Sequence, residues 1–157
     1  MKMFSLDTNV LIEAWNTRYP IDLMPDFWVA LDEMARTGQI SASDEVLREL
    51  EKIDDELYKW ARGHLHLFTA PSADVQQHLR RIMKDHPRLV DTKKGRSQAD
   101  PFVIAHAAAL QGAVVTEEIS TVGSKSPKIP DVCRAYGIEC IRLVEFMRQV
   151  KLRFSRA

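Results

Sequence analysis

The sequence predicts an α/β protein, a three-layer α/β/α sandwich with a mostly parallel central sheet. Short apolar segments alternate with helical ones along the chain, and no repeat or linker divides its 157 residues. Strands that alternate with helices usually pair in parallel, so helices must cover both faces of the sheet. We therefore expect one domain over residues 1–157, with a basic C-terminal tail at about 148–157.

The first half of the chain predicts two strands, each followed by helix. Residues 3–6 form the first strand, and "TNVLIEAW" continues as a helix. Pro25 suits the first turn of the next helix, which Gly38 ends. "QISAS" is the second strand, and residues 44–63 form either one bent helix or two.

The second half repeats the alternation with shorter segments. "LFTAP" is a strand or only a connector, and residues 72–86 form a helix. The basic loop "PRLVDTKKGRSQ" precedes an alanine-rich helix, "ADPFVIAHAAALQ", and the buried strand "AVVT". The polar loop "ISTVGSKSPKIP" then leads to the helix "DVCRAYG", the strand "IECIRL" and the helix "VEFMRQV".

Composition narrows the classes of function. Lys and Arg total 22, as do Asp and Glu, so the molecule has no overall basic surface and must hold a polyanion through a local patch or metal ions. No apolar run approaches the ~20 residues of a membrane span, and the start lacks the features of a signal peptide. Cys133 and Cys140 lack metal-site spacing, so we expect a cytoplasmic protein with reduced thiols.

Acidic residues follow two of the predicted strands. Asp7 comes after "MFSL", and Glu117 and Glu118 come after "AVVT". Open parallel sheets bind ligands beyond the carboxyl ends of their strands, so these side chains are expected to converge at one edge.

Two further acids lie on helices. Glu49 falls about 60° from Val46 on the helical wheel, at the border of the buried stripe. Asp100 lies in the first turn of the alanine-rich helix. Helix capping is an equally open role for Asp7, a favourable helix-dipole interaction for Asp100, and an ordinary turn for Glu118.

Clustered carboxylates indicate a hard cation. They cannot all ionise close together without one, since like charges raise one another's pKa. Oxygen-only ligands suit Mg²⁺ or Mn²⁺, which can activate water for phosphodiester hydrolysis. The pattern therefore favours nuclease chemistry.

The four acidic motifs together resemble the PIN-domain family of metal-dependent ribonucleases, which includes VapC-type toxins. "LDTNVLIEA" resembles its first motif with Asp7, Glu49 matches the second acid, "ADPFVIAHA" resembles the third with Asp100, and "VVTEE" resembles the fourth with Thr116 and Glu118. The resemblance implies catalytic roles for the four acids and a Mg²⁺ or Mn²⁺ site made by them.

The sequence departs from the PIN pattern at its fourth motif. The usual aspartate is replaced by Glu118 with Glu117 beside it, so either glutamate is a candidate metal ligand. The segment "SKSPKIPDVCRAYGIECIRL" resembles a PIN-like subfamily of unassigned function. The wider resemblance implies an RNA substrate, a cognate antitoxin protein and homodimers.

Polar and basic residues near these motifs are candidates for substrate binding. Three are the motif residues Thr8, Asn9 and Thr116, and the others are the loop cations Lys93, Lys94, Arg96, Lys125 and Lys128. For any one of these cations, a solvated loop position is the more ordinary role.

Two other functions remain open. An inactive PIN fold would serve as an RNA-binding or protein-interaction module. A phosphatase of the haloacid dehalogenase type would use Asp7 as its nucleophile. Such phosphatases have a second aspartate two residues later, where this chain has Asn9.

Overall fold

The computed structural model describes residues 1–90, 98–120 and 126–156. Within them, five strands form one sheet in the order β3-β2-β1-β4-β5, and every pairing is parallel. The strands are β1 Phe4–Leu6, β2 Ile40–Ser43, β3 Phe68–Thr69, β4 Ala113–Val115 and β5 Cys140–Ile141. The segment "LFTAP" thus contributes a strand rather than only a connector.

Helices connect and flank these strands. They are α1 Thr8–Glu13, α2 Pro25–Arg36, α3 Asp44–Ile53, α4 Glu56–Arg62, α5 Ala73–Asp85, α6 Asp100–Leu110, α7 Ile129–Tyr136 and α8 Leu143–Gln149. Residues 44–63 form two helices because Asp54 adopts a left-handed conformation, φ 53°, and Asp55 caps the second. After α1 the chain continues through a π-helical turn, Ala14–Arg18.

The two faces of β1 contact different helices. Ser5 Oγ donates a hydrogen bond of 2.8 Å to the carbonyl oxygen of Val103 in α6. The next side chain toward the N-terminus, Phe4, faces the other way and packs edge-to-face on Phe146 of α8, with ring centroids 5.0 Å apart. Helices therefore cover both faces of the sheet, which confirms the predicted layered α/β fold.

A glycine allows α6 to lead directly into β4. A Cβ atom at Gly112 would lie 2.3 Å from the carbonyl oxygen of Met3. That oxygen accepts a hydrogen bond from Ala113 N at 3.0 Å, at the start of the β1–β4 pairing. The absence of a side chain at Gly112 is what lets the two backbones approach here.

The buried apolar residues form one cluster that extends from Phe4 to Phe146. Cys133 and Cys140 are both free thiols. Among the described helices, none combines the length and apolar character needed to cross a bilayer.

Candidate active site

A cleft of about 190 Å³ lies where strands β1 and β4 end. Four carboxylates line it together with two polar side chains and one apolar one. The lining residues are Asp7, Thr8, Asn9, Ile12, Glu49, Asp100 and Glu118. The structure thus brings together four acids that are as many as 111 positions apart in the sequence, from Asp7 to Glu118.

Asp7 is the most buried of these acids, with only 2% of its surface exposed. Its Oδ1 accepts a hydrogen bond from Thr8 N at 2.8 Å and thereby caps α1. Its Oδ2 accepts another, also of 2.8 Å, from the hydroxyl of Thr116. Asp7 therefore caps α1, as the sequence allowed, and it also lines the cleft.

Three of the acids converge closely enough to share one ion. Among the described residues, one oxygen from each of Asp7, Asp100 and Glu118 lies within 4.8 Å of an oxygen from each of the other two. Asp100 is 5% exposed and is the first residue of α6, so the helix start aims it into the cleft.

Glu49 belongs to the cleft but not to that close group. Its Oε1 accepts a hydrogen bond of 2.7 Å from Thr8 Oγ1, which joins α3 to the start of α1. Its half-buried position agrees with its place at the border of the buried stripe of the helix.

The two adjacent glutamates point to different partners. Glu118 Oε2 accepts a hydrogen bond of 3.0 Å from Ile129 N at the start of α7, and Glu118 also lines the cleft. Glu117 Oε1 accepts one of 2.8 Å from Leu143 N at the start of α8. Its Oε2 lies 2.8 Å from Arg142 Nη2. Glu117 is therefore outside the acidic group, with its carboxylate engaged by α8.

Burial and nearby negative charge make two of the acids, Asp7 and Glu49, hard to ionise. Burial of Asp7 raises its pKa to about 7, and the negative charges of Glu118 and Glu49 act in the same direction. The hydrogen bonds from Thr116 and Thr8 oppose that rise. Burial likewise raises the pKa of Glu49 above its usual range. A cation among these groups would favour their ionised forms.

Hydroxyl and amide groups fix the two strand ends relative to each other. Thr116 Oγ1, besides donating to Asp7, accepts a hydrogen bond from Glu118 N at 3.1 Å. Asn9 Oδ1 accepts one of 3.0 Å from Glu117 N. Thr8 and Thr116 thus bind the carboxylates of Glu49 and Asp7, and Asn9 binds the backbone of Glu117. The predicted contacts of these three residues with substrate stay a prediction. The position at which a haloacid dehalogenase phosphatase has its second aspartate is thus occupied by an amide that binds backbone.

The cations predicted to contact substrate are mostly outside the described structure. Lys93, Lys94, Arg96 and Lys125 lie in segments that are not among the described residues. Lys128 is exposed and immediately precedes Ile129, whose N–H binds the Glu118 carboxylate. Its backbone is therefore next to the acidic cleft.

Sequence comparison assigns the chain to a family without a known activity. The family described as "Domain of unknown function (DUF4411)" matches residues 4–154. The chain belongs to the DUF4411 family. No curated protein matches the chain significantly.

A solved structure shares the fold of this DUF4411 chain. It is a chain of VapBC2 from Rickettsia felis, crystallised with a DNA fragment from their promoter. The TM-score is 0.54 at 17% identity, and the match covers 89% of the DUF4411 chain and 98% of the other. At this identity the likeness concerns the fold, and it agrees with the PIN-like fold class predicted from the sequence.

Two arginines that contact Glu117, the residue before the cleft residue Glu118, were not singled out by sequence reasoning in this DUF4411 chain. Arg142 Nη2 lies 2.8 Å and Arg18 Nη2 lies 3.4 Å from Glu117 Oε2. Arg142 could have been found from the sequence, because it directly follows β5. Asp7 was found in the same way, since ligands bind beyond the carboxyl ends of parallel strands. Arg18 offers no such signal, since the π-helical turn that carries it depends on packing.

Proposed function

We propose that this DUF4411 protein is a divalent-metal-dependent endoribonuclease that acts as the toxin of a toxin–antitoxin pair. The observation that carries the proposal is the approach of the Asp7, Asp100 and Glu118 carboxylates to within 4.8 Å of one another. Ionisation of solvent-exposed carboxyl groups carries little free-energy cost. Here the cost is substantial, because burial raises the pKa of Asp7 to about 7. A buried group of carboxylates of this kind is best explained as the set of ligands for a metal ion.

The donor set fits a hard divalent cation. All the donors are carboxylate oxygens, which Mg²⁺ and Mn²⁺ prefer to softer nitrogen and sulfur ligands. Asp7, Asp100 and Glu118 would hold the ion, and Glu49 would contribute a fourth carboxylate from α3. Glu118 is the ligand of the glutamate pair, because Glu117 is engaged by Arg142 and the start of α8. When bound, the ion supplies an activated water and stabilises negative charge on the phosphodiester.

The remaining cleft residues have the task of orientation. The hydroxyls of Thr8 and Thr116 direct their protons at Glu49 and Asp7, which leaves the acids' other lone pairs available. Asn9 fixes the backbone between Thr116 and Glu118 through the N–H of Glu117. Partners of this kind typically change metal affinity by about 10–100-fold when removed.

The toxin assignment rests on two supports of different kinds. The motifs around Asp7, Asp100 and Glu118 resemble those of PIN-domain toxins. The fold resembles a chain of VapBC2. We accordingly propose a cognate antitoxin protein as the partner, a cytoplasmic site of action where RNA is accessible, and a single catalytic domain over the whole chain.

The decisive experiment combines metal binding with RNA cleavage. Calorimetric titration of Mg²⁺ and Mn²⁺ and cleavage of single-stranded RNA should be measured for the wild type, Asp7→Asn and Asp100→Asn. We expect both variants to lose metal binding and at least about 100-fold in cleavage rate, since each removes a ligand charge at nearly constant size. Circular dichroism would check that each variant keeps its secondary structure.

A matched pair on α3 provides the control. Glu49→Gln changes a cleft residue, whereas Glu51→Gln changes an exposed glutamate two positions away. Cleavage should fall in the first variant and stay at the wild-type rate in the second. Undiminished turnover by Asp7→Asn would refute the metal site. RNA binding by the wild type without metal-dependent cleavage would instead identify an inactive RNA-binding module.

A further inference from the structure

The acidic cleft needs a source of positive charge for its substrate. Among its lining residues, all taken from the described part of the chain, none is basic. RNA carries a negative charge on every phosphate, and the whole protein has a formal net charge of zero, so long-range attraction does not bring RNA to this site. Cations must therefore act locally, at the edge of the cleft.

Arg142 lies at that edge through the connectivity of the sheet. It follows β5 directly, and β5 pairs with β4 through the register Val115↔Ile141. Thr116 N donates a hydrogen bond of 2.9 Å to the carbonyl oxygen of Ile141. Glu117 follows Thr116 and Arg142 follows Ile141, so both residues lie just beyond the ends of the paired strands. Glu118, the residue after Glu117, lines the cleft.

Glu117 holds Arg142 and Arg18 in place. Its side chain is only 11% exposed, and its Oε1 accepts the hydrogen bond from Leu143 N that starts α8. Its Oε2 receives both guanidinium groups, with Nη2 of Arg142 at 2.8 Å and Nη2 of Arg18 at 3.4 Å. A carboxylate fixed in this way reduces the rotamer freedom of the two arginines before any ligand arrives.

Arg142 retains most of its hydrogen-bonding capacity. A guanidinium has five N–H donors, and the contact with Glu117 uses one Nη atom of a side chain that is 55% exposed. Arg18 is less free, because its Nε also lies 3.9 Å from Glu13 Oε1. The guanidinium of Arg142 therefore has donors on its exposed side that can contact a second anion while Glu117 stays bound.

We infer that Arg142, with Arg18 beside it, forms a phosphate-binding site that positions the RNA strand next to the acidic cleft. The inference rests on the proposed ribonuclease function and extends it to named substrate contacts. The planar guanidinium group can donate two parallel hydrogen bonds to the oxygens of a phosphodiester. Arg142 would therefore bind the sugar-phosphate backbone of the RNA, independently of base sequence. Lys128 precedes Ile129, whose N–H binds Glu118, so we expect Lys128 to contact the RNA strand on the other side of Glu118.

The test is the salt dependence of steady-state RNA cleavage in Arg142→Gln and Arg142→Lys. Loss of one phosphate contact should lower the slope of log(1/KM) against log[salt] by about 0.7. At low salt, KM should rise about tenfold in Arg142→Gln, the effect of losing one charged hydrogen bond, with kcat within about twofold of the wild type. Lysine should restore the slope but not the whole affinity, because it keeps the charge and loses the fork.

Arg36→Gln is the matched control. Arg36 is also an exposed arginine paired with one carboxylate, at 3.0 Å from Asp32, but it ends α2 on the side of the sheet where β2 begins. KM and the salt slope should be unchanged in this variant. Mg²⁺ affinity, measured by calorimetry, should stay at the wild-type value in both variants because neither arginine contacts the acids of the cleft.

The outcomes separate the inference from the function on which it rests. Wild-type KM and salt slope in Arg142→Gln, in a protein that cleaves RNA, would overturn the phosphate site alone. A lower unfolding temperature with unchanged KM would also overturn it and leave Arg142 only the task of docking α8. Failure of the wild type to bind or cleave RNA would refute the ribonuclease function, and the phosphate site with it.

Discussion

Asp7 is a buried carboxylate that accepts two hydrogen bonds, and no cationic side chain of the described residues pairs with it. Thr8 N and Thr116 Oγ1 each approach it at 2.8 Å, yet burial still raises its pKa to about 7. Two neutral donors stabilise the charged form less than the loss of water destabilises it. Ionisation of Asp7 is therefore unfavourable below neutral pH unless a cation binds beside it.

This shift predicts how stability varies with pH in metal-free protein. The Asp7 pKa is about 7 in the folded protein and near its usual 3.8 when unfolded, so the folded state binds more protons between these values. The contribution of Asp7 is therefore fully present below about pH 4 and is lost as pH rises through about 7. A pKa shift of this size corresponds to a loss of stability on the order of a few kcal/mol across that window.

Comparison with Asp7→Asn isolates this effect from other titrating groups. Urea unfolding in a chelator, from pH 4 to pH 8, should show the wild type becoming steadily less stable relative to the variant. Saturating Mg²⁺ should reduce that pH dependence, since the ion binds the folded, ionised form. A difference between the two proteins that stays constant with pH would contradict the shifted pKa.

The connections between elements determine which residues meet at the cleft. Strands β1 and β4 are neighbours in register, Leu6 opposite Val115, so the residues after them, Asp7 and Thr116, emerge side by side. This register begins where Gly112 lets the backbone of α6 and β4 approach Met3. A small residue at a turn far from the acids therefore contributes to their alignment.

Gly112→Ala should destabilise the protein by about 1–3 kcal/mol, because its Cβ would lie 2.3 Å from the backbone oxygen of Met3 and force the strands apart. Gly63→Ala is the control. There the Cβ would lie 3.4 Å from the carbonyl oxygen of Trp60, an ordinary contact, so the change should stay within about 1 kcal/mol. Urea unfolding of both variants gives the comparison, and equal stabilities would contradict this account of the turn.

Sequence patterns located most elements but not every boundary. Helical periodicity indicated α2, whose apolar residues recur at helical spacing, and an alanine-rich composition indicated α6, whose buried residues run almost continuously along the helix. Periodicity left residues 44–63 undecided, since the break depends on a left-handed Asp54 that periodicity does not reveal. It also left "LFTAP" open, because a two-residue strand such as β3 is recognised only by its pairing with β2.

At the scale of the whole molecule, a single apolar core joins the layers. The buried cluster runs from β1 through α6 to α8, and no polar linker interrupts it among the described residues. Positive and negative side chains balance across the chain, so the acidic cleft is a local feature of a neutral surface. The core supports the proposal that the chain behaves as one domain.

One domain with one core should unfold in a single cooperative transition. Scanning calorimetry is expected to give equal calorimetric and van't Hoff enthalpies. For 157 residues the enthalpy should be roughly 110 kcal/mol near 60 °C. Two resolved transitions, or a van't Hoff enthalpy well below the calorimetric one, would instead indicate two folding units.

The sequence by itself determined the layered α/β fold and the short list of acids, because strand ends and helix faces follow from local periodicity. It did not choose between Glu117 and Glu118, which share the same strand end. The tertiary structure separates their positions: Leu143 N and Arg142 bind Glu117, whereas Glu118 lines the cleft and binds Ile129 N. The local sequence pattern indicates the face of a strand or helix on which a side chain lies. Its contact partners are on elements that are distant in sequence, so only the tertiary structure determines them.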